Sequence, residues 1–84
     1  MQTGVYRHYK GNYYQVLGQA THSESGEAVV VYRCLYGDHS VWVRPLKMFG
    51  ETIMVDGELM SRFSLVQAQP AWVLRNYGES GNGT

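Results

Sequence analysis

Short apolar runs alternate with polar, glycine-containing turns through residues 1–66. The runs are rich in valine and tyrosine, which favour β-strands because branched and aromatic side chains pack well on a pleated surface. The turns "KGN", "SESG" and "GDHS" place glycine and asparagine where the chain must reverse direction. The pattern predicts strands over residues 5–9, 13–20, 27–36 and 41–44.

The most continuous apolar run is "AVVVYRCL", residues 28–35. A strand with one solvent-exposed face alternates apolar and polar residues, whereas a strand that is buried on both faces is apolar throughout. We therefore expect this segment to be an inner strand of a curled sheet. We also expect it to position the neighbouring aromatic rings and guanidinium groups.

Residues 52–66 contain the clearest hairpin signal. "TIMV" and "ELM" flank Asp56-Gly57, a dipeptide that suits a two-residue hairpin turn, and "SRFSLV" is predicted to extend the returning strand. Before the hairpin, Pro45 ends a strand because it cannot donate to a ladder, and it suits the first position of a helical turn in "PLKMFGE". We expect Met48 and Phe49 to cover one end of the core.

These elements predict an all-β, or mainly β, fold. The expected architecture is a small SH3-like barrel or a strongly bent antiparallel sheet of five to six short strands with one short helical turn. An α+β fold with a C-terminal helix is the alternative. Residues 1–66 would form a single domain, and residues 67–84 a tail whose glycine-rich last residues we expect to be disordered.

Charge and cysteine content narrow the function classes. Seven basic and seven acidic residues give a formal net charge of zero, which does not favour nucleic acid, since phosphate neutralisation dominates that affinity. The single cysteine, Cys34, forms no disulfide within the chain. The chain shows no secretory signal and no apolar run long enough for a membrane span, so we expect a cytoplasmic protein.

Aromatic and basic residues recur together at strand spacing. Trp42 and Arg44 are two apart and share a strand face, where the guanidinium can lie over the indole. Arg33 lies within the inner strand and needs a partner, either an acidic side chain or, together with Arg44, a bound carboxylate or phosphate. The alternative is a purely structural role, in which tyrosines fill the core and arginines form ion pairs within the fold. The candidate ligand-binding residues are His8, Tyr9, His22, Tyr32, Arg33, Trp42 and Arg44.

Metal binding and catalysis have little support in the sequence. His8, His22, His39 and Cys34 lack the close spacing of zinc ligands, so we predict no metal and no cofactor. Cys34 lies in an apolar strand, where a thiol behaves as a small hydrophobe. An enzyme using His8 or His22 with Asp38 ranks last, because no motif places a nucleophile beside a base.

Three blocks, "YRHYKGNYYQVLG", "HSESGEAVVVYRCLYGD" and "VWVRPLKMF", followed by a late "RF", resemble the small bacterial domain-of-unknown-function family 1653. The resemblance covers residues 4–63. It implies a short, single-domain, cytoplasmic bacterial protein with no assigned activity. The family has "ALYG" where this chain has "CLYG", which implies that the thiol of Cys34 is not required.

Two functions remain open from the sequence. The first is a non-enzymatic β-barrel binding module for a small anionic or aromatic ligand, a peptide or single-stranded nucleic acid. The second is a structural or protein-interaction subunit, such as a homodimer or an accessory protein, with a tail patch anchored by tryptophan. That patch comprises Ala71, Trp72, Val73 and Leu74.

Overall fold

The computed structural model describes residues 1–70, which form seven strands and one turn of helix. The elements, in chain order, are β1 (Gly4–His8), β2 (Tyr13–Thr21), β3 (Ala28–Cys34), β4 (Val41–Pro45), α1 (Leu46–Phe49), β5 (Thr52–Val55), β6 (Glu58–Ser61) and β7 (Phe63–Ala68). The predicted tail patch at residues 71–74 lies outside the described residues.

All strand pairs are antiparallel. The main sheet has the order β4-β3-β2-β1-β7, and β5 pairs with β6 in a separate hairpin. The mainly β prediction with one helical turn is therefore confirmed. The barrel version of that prediction is wrong, because β4 and β7 are the two edges of an open sheet. The chain leaves the sheet after β4, builds the hairpin, and returns to pair with β1.

The predicted inner strand is β3, which pairs with β2 on one side and β4 on the other. Val30, Tyr32 and Cys34 are buried on one face, which we call the core face. Val31 and Arg33 alternate onto the opposite face and are only partly buried. The prediction of an inner strand is confirmed, although β2 occupies the middle of the five-stranded order.

Aromatic side chains form most of the core. Phe49 on α1 stacks on Phe63 of β7, with ring centroids 4.3 Å apart, and meets Tyr32 edge-on at 5.4 Å. Tyr6 is also buried there, and its hydroxyl donates to the carbonyl of Gln2 at 2.6 Å. Such aromatic pairs contribute about 1 kcal/mol each beyond the area that they bury. The helical turn thus closes the core face by laying one ring on it.

The returning strand of the predicted hairpin is divided in two. The Asp56-Gly57 turn is confirmed, with both residues at positive φ (49° and 81°). β6 then ends at Ser61 and β7 begins at Phe63, so the prediction of one continuous strand is wrong. The residue between them, Arg62, donates its N–H to the carbonyl of Glu51 and accepts from the N–H of Tyr9, each at 3.0 Å. It therefore joins the hairpin to the main sheet.

β7 runs to Ala68, past the expected domain boundary at residue 66. Beyond the strand, Gln69 donates its N–H to the carbonyl of Thr3 at 2.9 Å. Among residues 1–70, no helix is long and apolar enough to cross a membrane.

Candidate functional site

A pocket of about 350 Å³ opens on the core face, beside the edge strand β4. Strand register creates it, because Tyr32 on β3 lies directly opposite Trp42 on β4, and Tyr14 on β2 lies opposite Cys34 on β3. Paired residues share a face of the sheet, so three strands contribute to one concave surface. The residues that supply most of its chemistry are Tyr14, Tyr32, Tyr36, Asp38, Trp42 and Arg44.

Tyrosine rings form the walls of the pocket. Tyr14 meets Tyr32 and Tyr36 edge-to-face, with ring centroids 5.5 Å apart in both pairs. The hydroxyls of Tyr14 and Tyr36 lie 3.0 Å apart and share a hydrogen bond. That bond is the main reason that the pKa of Tyr36 is raised above its ordinary value, so the Tyr36 phenol stays protonated and able to donate.

Arg44 carries the positive charge of the pocket. Its Nε donates to the hydroxyl of Tyr32 at 3.1 Å, which fixes the plane of the guanidinium against the pocket wall. The two ion pairs found within residues 1–70 join Lys47 to Glu27 and Arg62 to Glu51, so neither neutralises Arg44. Within residues 1–70, the terminal nitrogens of Arg44 therefore remain available as hydrogen-bond donors.

The spacing of Trp42 and Arg44 suggested that the guanidinium would lie over the indole, but the two side chains do not stack. The indole Nε1 of Trp42 instead donates to the hydroxyl of Ser40 at 2.6 Å, and the residue is 57% exposed. The ring therefore forms a wall of the pocket mouth that is held in place from the β3–β4 loop. A large exposed ring with its one polar group satisfied is suited to contact with a ligand.

His8 lies on the core face beyond Tyr14, with ring centroids 6.3 Å from Tyr14 and 4.9 Å from Phe63. Burial lowers the pKa of His8 below 6.5, and the positive charges of Arg62, Arg44 and Lys10 lower it further. Its Nδ1 also accepts the backbone N–H of Lys10 at 3.1 Å, a bond that protonation at Nδ1 would break. The His8 imidazole therefore favours its neutral form beside the pocket.

Asp38 and Cys34 have structural partners at the other end of the pocket. The Asp38 carboxylate accepts the N–H of Ser40 at 3.0 Å, and hydrogen bonding to Ser40 lowers its pKa. The Asp38 side chain therefore orders the turn that contains Ser40, whose hydroxyl accepts the indole N–H of Trp42. Cys34 is a free, buried thiol that lines the pocket floor, in keeping with its predicted role as a small hydrophobe.

The predicted site residues are divided among three regions. Tyr32, Trp42 and Arg44 line the pocket, and His8 lies next to it. Tyr9 packs against His8 with ring centroids 4.6 Å apart but does not line the pocket.

The other two predicted residues are remote from the pocket. His22 lies in the exposed β2–β3 turn, where its Nδ1 accepts the N–H groups of Glu24 and Ser25 at 3.2 and 3.3 Å. Arg33 points to the face opposite the pocket. No acidic side chain within residues 1–70 forms an ion pair with it, contrary to the expectation of an acidic partner. Its Nε is buried without a hydrogen-bond partner among those residues. Arg33 and Arg44 therefore cannot hold one anion together.

Sequence reasoning did not select Tyr14 and Tyr36. Tyr14 shares a strand face with Val16, which alternation alone indicates, but its position opposite Cys34 depends on the register of β2 against β3. Tyr36 follows β3 in a loop, where no periodicity applies. Within the described residues, no three histidine, cysteine, aspartate or glutamate side chains gather closely enough to hold a metal ion.

A family model described as a protein of unknown function, DUF1653, matches residues 4–65 of the chain. The chain belongs to this family. A crystal structure of a DUF1653 protein from Bordetella bronchiseptica is similar to it, with 38% sequence identity and a TM-score of 0.75. The similarity covers 83% of this chain and 92% of that one. Comparison with curated proteins gave no match.

Membership of DUF1653 confirms the resemblance found in the sequence and leaves the function to be argued from the site. The matched segment extends from β1 into β7 and so includes every residue that lines the pocket. The pocket therefore belongs to the DUF1653 segment and not to the tail.

Proposed function

We propose that this DUF1653 protein is a non-enzymatic binding module whose pocket holds a small planar anion, an aromatic ring that carries a carboxylate or a phosphate. The ring would lie among the tyrosines and Trp42, and the anionic group would meet Arg44. Of the ligand classes open from the sequence, the small anionic and aromatic ones fit this pocket best.

The observation that carries the proposal is the state of Arg44. Its Nε is occupied by the Tyr32 hydroxyl, and no carboxylate within residues 1–70 pairs with it. A partly buried guanidinium is held in one orientation at low entropic cost and is well suited to bidentate recognition of a carboxylate or phosphate. Arg44 also lies near enough to His8 for its positive charge to lower the pKa of that imidazole.

The shape and walls of the pocket favour a planar ligand. A volume of about 350 Å³ is near the lower end of the range typical of small-molecule sites. The rings of Tyr14, Tyr32 and Trp42 offer apolar surface, and the tyrosine hydroxyls offer hydrogen bonds at the rim. The zero net charge of the chain supports a small anion over a nucleic acid, which needs many phosphate contacts.

Binding is favoured over catalysis by the partners of the polar groups. Asp38 is engaged with Ser40, and His22 with its own turn, so neither is aimed at a substrate. Cys34 is buried at the floor, away from the electropositive, exposed setting that activates a thiol. The pocket offers walls, a charge and hydrogen bonds, which is what a binding site requires.

The test is a titration followed by two-dimensional amide NMR, with phenyl phosphate and benzoate as probes. Cyclohexanecarboxylate lacks the aromatic ring and benzyl alcohol lacks the charge, and both should bind more weakly. Arg44→Gln should lower phenyl phosphate affinity about tenfold or more, because it removes a charge-assisted contact. The matched control is Arg7→Gln on the opposite, exposed face, which should leave affinity unchanged. Equal affinities for the two variants would refute the proposal.

A further inference from the structure

β4 is an edge strand of the main sheet within residues 1–70. The sheet order ends at β4, so within residues 1–70 no strand pairs with its outer side. Val41, Trp42 and Val43 are 50%, 57% and 59% exposed. Exposed apolar edges are templates for pairing with another strand, and proteins usually cover or charge them. Within residues 1–70, the segment from Val41 to Val43 is neither covered by another strand nor charged.

The register of β3 and β4 shows which backbone groups of β4 face outward. Hydrogen-bonded pairs alternate with non-bonded pairs in an antiparallel ladder. Cys34 donates its N–H to the carbonyl of Ser40 at 3.0 Å, and the pairing continues without a shift to Val29 opposite Pro45. Trp42 and Arg44 therefore bond to β3.

The intervening residues must then point their backbone groups away from β3. Val41 and Val43 present an outward N–H and C=O each, whereas Pro45 is the N-cap of α1 and its C=O accepts the first hydrogen bond of that helix. The missing N–H of Pro45 costs the ladder nothing, because that nitrogen faces outward. The free edge offers two donors flanking Trp42.

The same alternation places the pocket beside this edge. Trp42 and Arg44 project onto the core face and line the pocket. An antiparallel strand added outside β4 would meet them at non-hydrogen-bonded positions, where Cα atoms are about 4.5 Å apart and side chains are closest. Every second side chain of such a strand would therefore lie against Trp42 or Arg44.

We propose that the same site also binds an extended acidic peptide, which adds to β4 as an antiparallel sixth strand and places a carboxylate side chain beside Arg44. The proposal goes beyond the function given above and rests on it for the role of Arg44. Backbone pairing to Val41 and Val43 supplies sequence-independent affinity, and the pocket supplies selection for the acidic residue and for an aromatic neighbour over Trp42. Charge complementarity supports an acidic peptide, since Arg44 lines the pocket and is not ion-paired within residues 1–70.

The probe is the blocked heptapeptide Thr-Val-Glu-Val-Tyr-Val-Thr, in which Glu and Tyr project from one face. With those two side chains on the core face, the peptide's valine N–H groups must face β4. N-methylation of the valine amides should abolish the pairing and lower affinity about tenfold or more, whereas N-methylation of the Glu and Tyr amides should leave it nearly unchanged. Replacing Glu by Gln should also weaken binding. An N-methyl-valine peptide that binds as well as the parent overturns the proposal.

Two readouts on the protein complete the test. Hydrogen exchange of the Val41 and Val43 amides should slow roughly tenfold in the saturated complex, while Trp42 and Arg44, already bonded to β3, change less. Val43→Pro removes one outward donor in the same way that Pro45 already does, so it should fold, lose the peptide and still bind phenyl phosphate. Should this variant not fold, the two methylated peptides decide the question with the unaltered chain.

The outcomes separate this inference from the function on which it rests. Phenyl phosphate binding without peptide binding overturns the strand addition and leaves the anion pocket standing. Peptide binding with the predicted methylation pattern but no phenyl phosphate binding supports the strand addition and overturns the small-ligand function. Absence of binding by both probes overturns both.

Discussion

The hydroxyl of Tyr32 is a single atom through which the proposed site can be tested. Tyr32 is 5% exposed, and its ring packs between Tyr14 and Phe49, with centroid distances of 5.5 and 5.4 Å. Its oxygen accepts the Nε–H of Arg44 at 3.1 Å. Tyr32→Phe keeps the ring and the wall of the pocket and deletes only this acceptor, so Arg44 loses the bond that orients it.

Two effects of different size follow from the deletion. Stability should fall by about 1 kcal/mol, the typical net value of one hydrogen bond, because Arg44 is partly exposed and water can replace the lost partner in part. For a domain of this size that corresponds to a Tm decrease of about 4–8 °C. Phenyl phosphate affinity should fall about threefold to tenfold, because binding must now immobilise a mobile guanidinium at a cost of roughly 0.5–1.5 kcal/mol.

Urea unfolding and the NMR titration measure the two quantities, with Tyr6→Phe as the matched control. Tyr6 is 7% exposed, and its hydroxyl also makes one hydrogen bond, as donor to the carbonyl of Gln2 and away from the pocket. Tyr6→Phe should therefore cost similar stability and leave affinity unchanged. If both variants lose affinity equally, or if Tyr32→Phe loses none, the Tyr32 hydroxyl does not preorganise Arg44 and the reasoning fails.

Two further predictions concern His8 and Gly4. Because the pKa of His8 is lowered in the folded state, the unfolded chain takes up the proton first, so unfolding free energy should fall as pH drops below 6.5. Benzenesulfonate, an anion that stays charged, should bind more tightly at still lower pH, where His8 of the folded protein takes up its own proton. His8→Gln should flatten both profiles, measured by urea unfolding and NMR titration. Gly4 has φ 144° and a Cβ there would lie 2.2 Å from the carbonyl oxygen of Gln67, so Gly4→Ala should cost on the order of 2 kcal/mol or more in urea unfolding. The control Gly57→Ala, with positive φ but open space around it, should cost less; equal losses would contradict the proposed clash.

The first four strands of the main sheet were predictable because each is marked by its own residues and by the turn that follows it. Valine-rich runs and glycine turns placed β1 to β4 within a few residues, and Asp56-Gly57 placed the hairpin turn. Closure of the sheet was not predictable, because it depends on which strands become neighbours. The decisive residue is Arg62, where the chain passes from the hairpin to β7; its backbone bonds to Glu51 and Tyr9 have no local signature.

The site was predictable only as far as strand alternation extends. Alternation correctly put Trp42 and Arg44 on one face. The assignment of Arg33 to that same surface was wrong, because the β3–β4 register places Arg33 opposite Val41 and so on the other face. A register shift between Val16 and Gly18 in β2 is likewise invisible to simple alternation and alters the pairing with β3. The unpredicted pocket residues therefore come from register and loops, not from composition.

The most direct test of the central claim, that Arg44 receives the anion of a ligand seated among tyrosines, is the NMR signal of its side-chain Nε–Hε during titration with phenyl phosphate. We expect a large, saturable shift at Arg44 with the Kd reported by the pocket amides, and no comparable shift at Arg7 or Arg33 on the opposite face. An unmoved Arg44 signal, or equal movement of all three arginines, would contradict it.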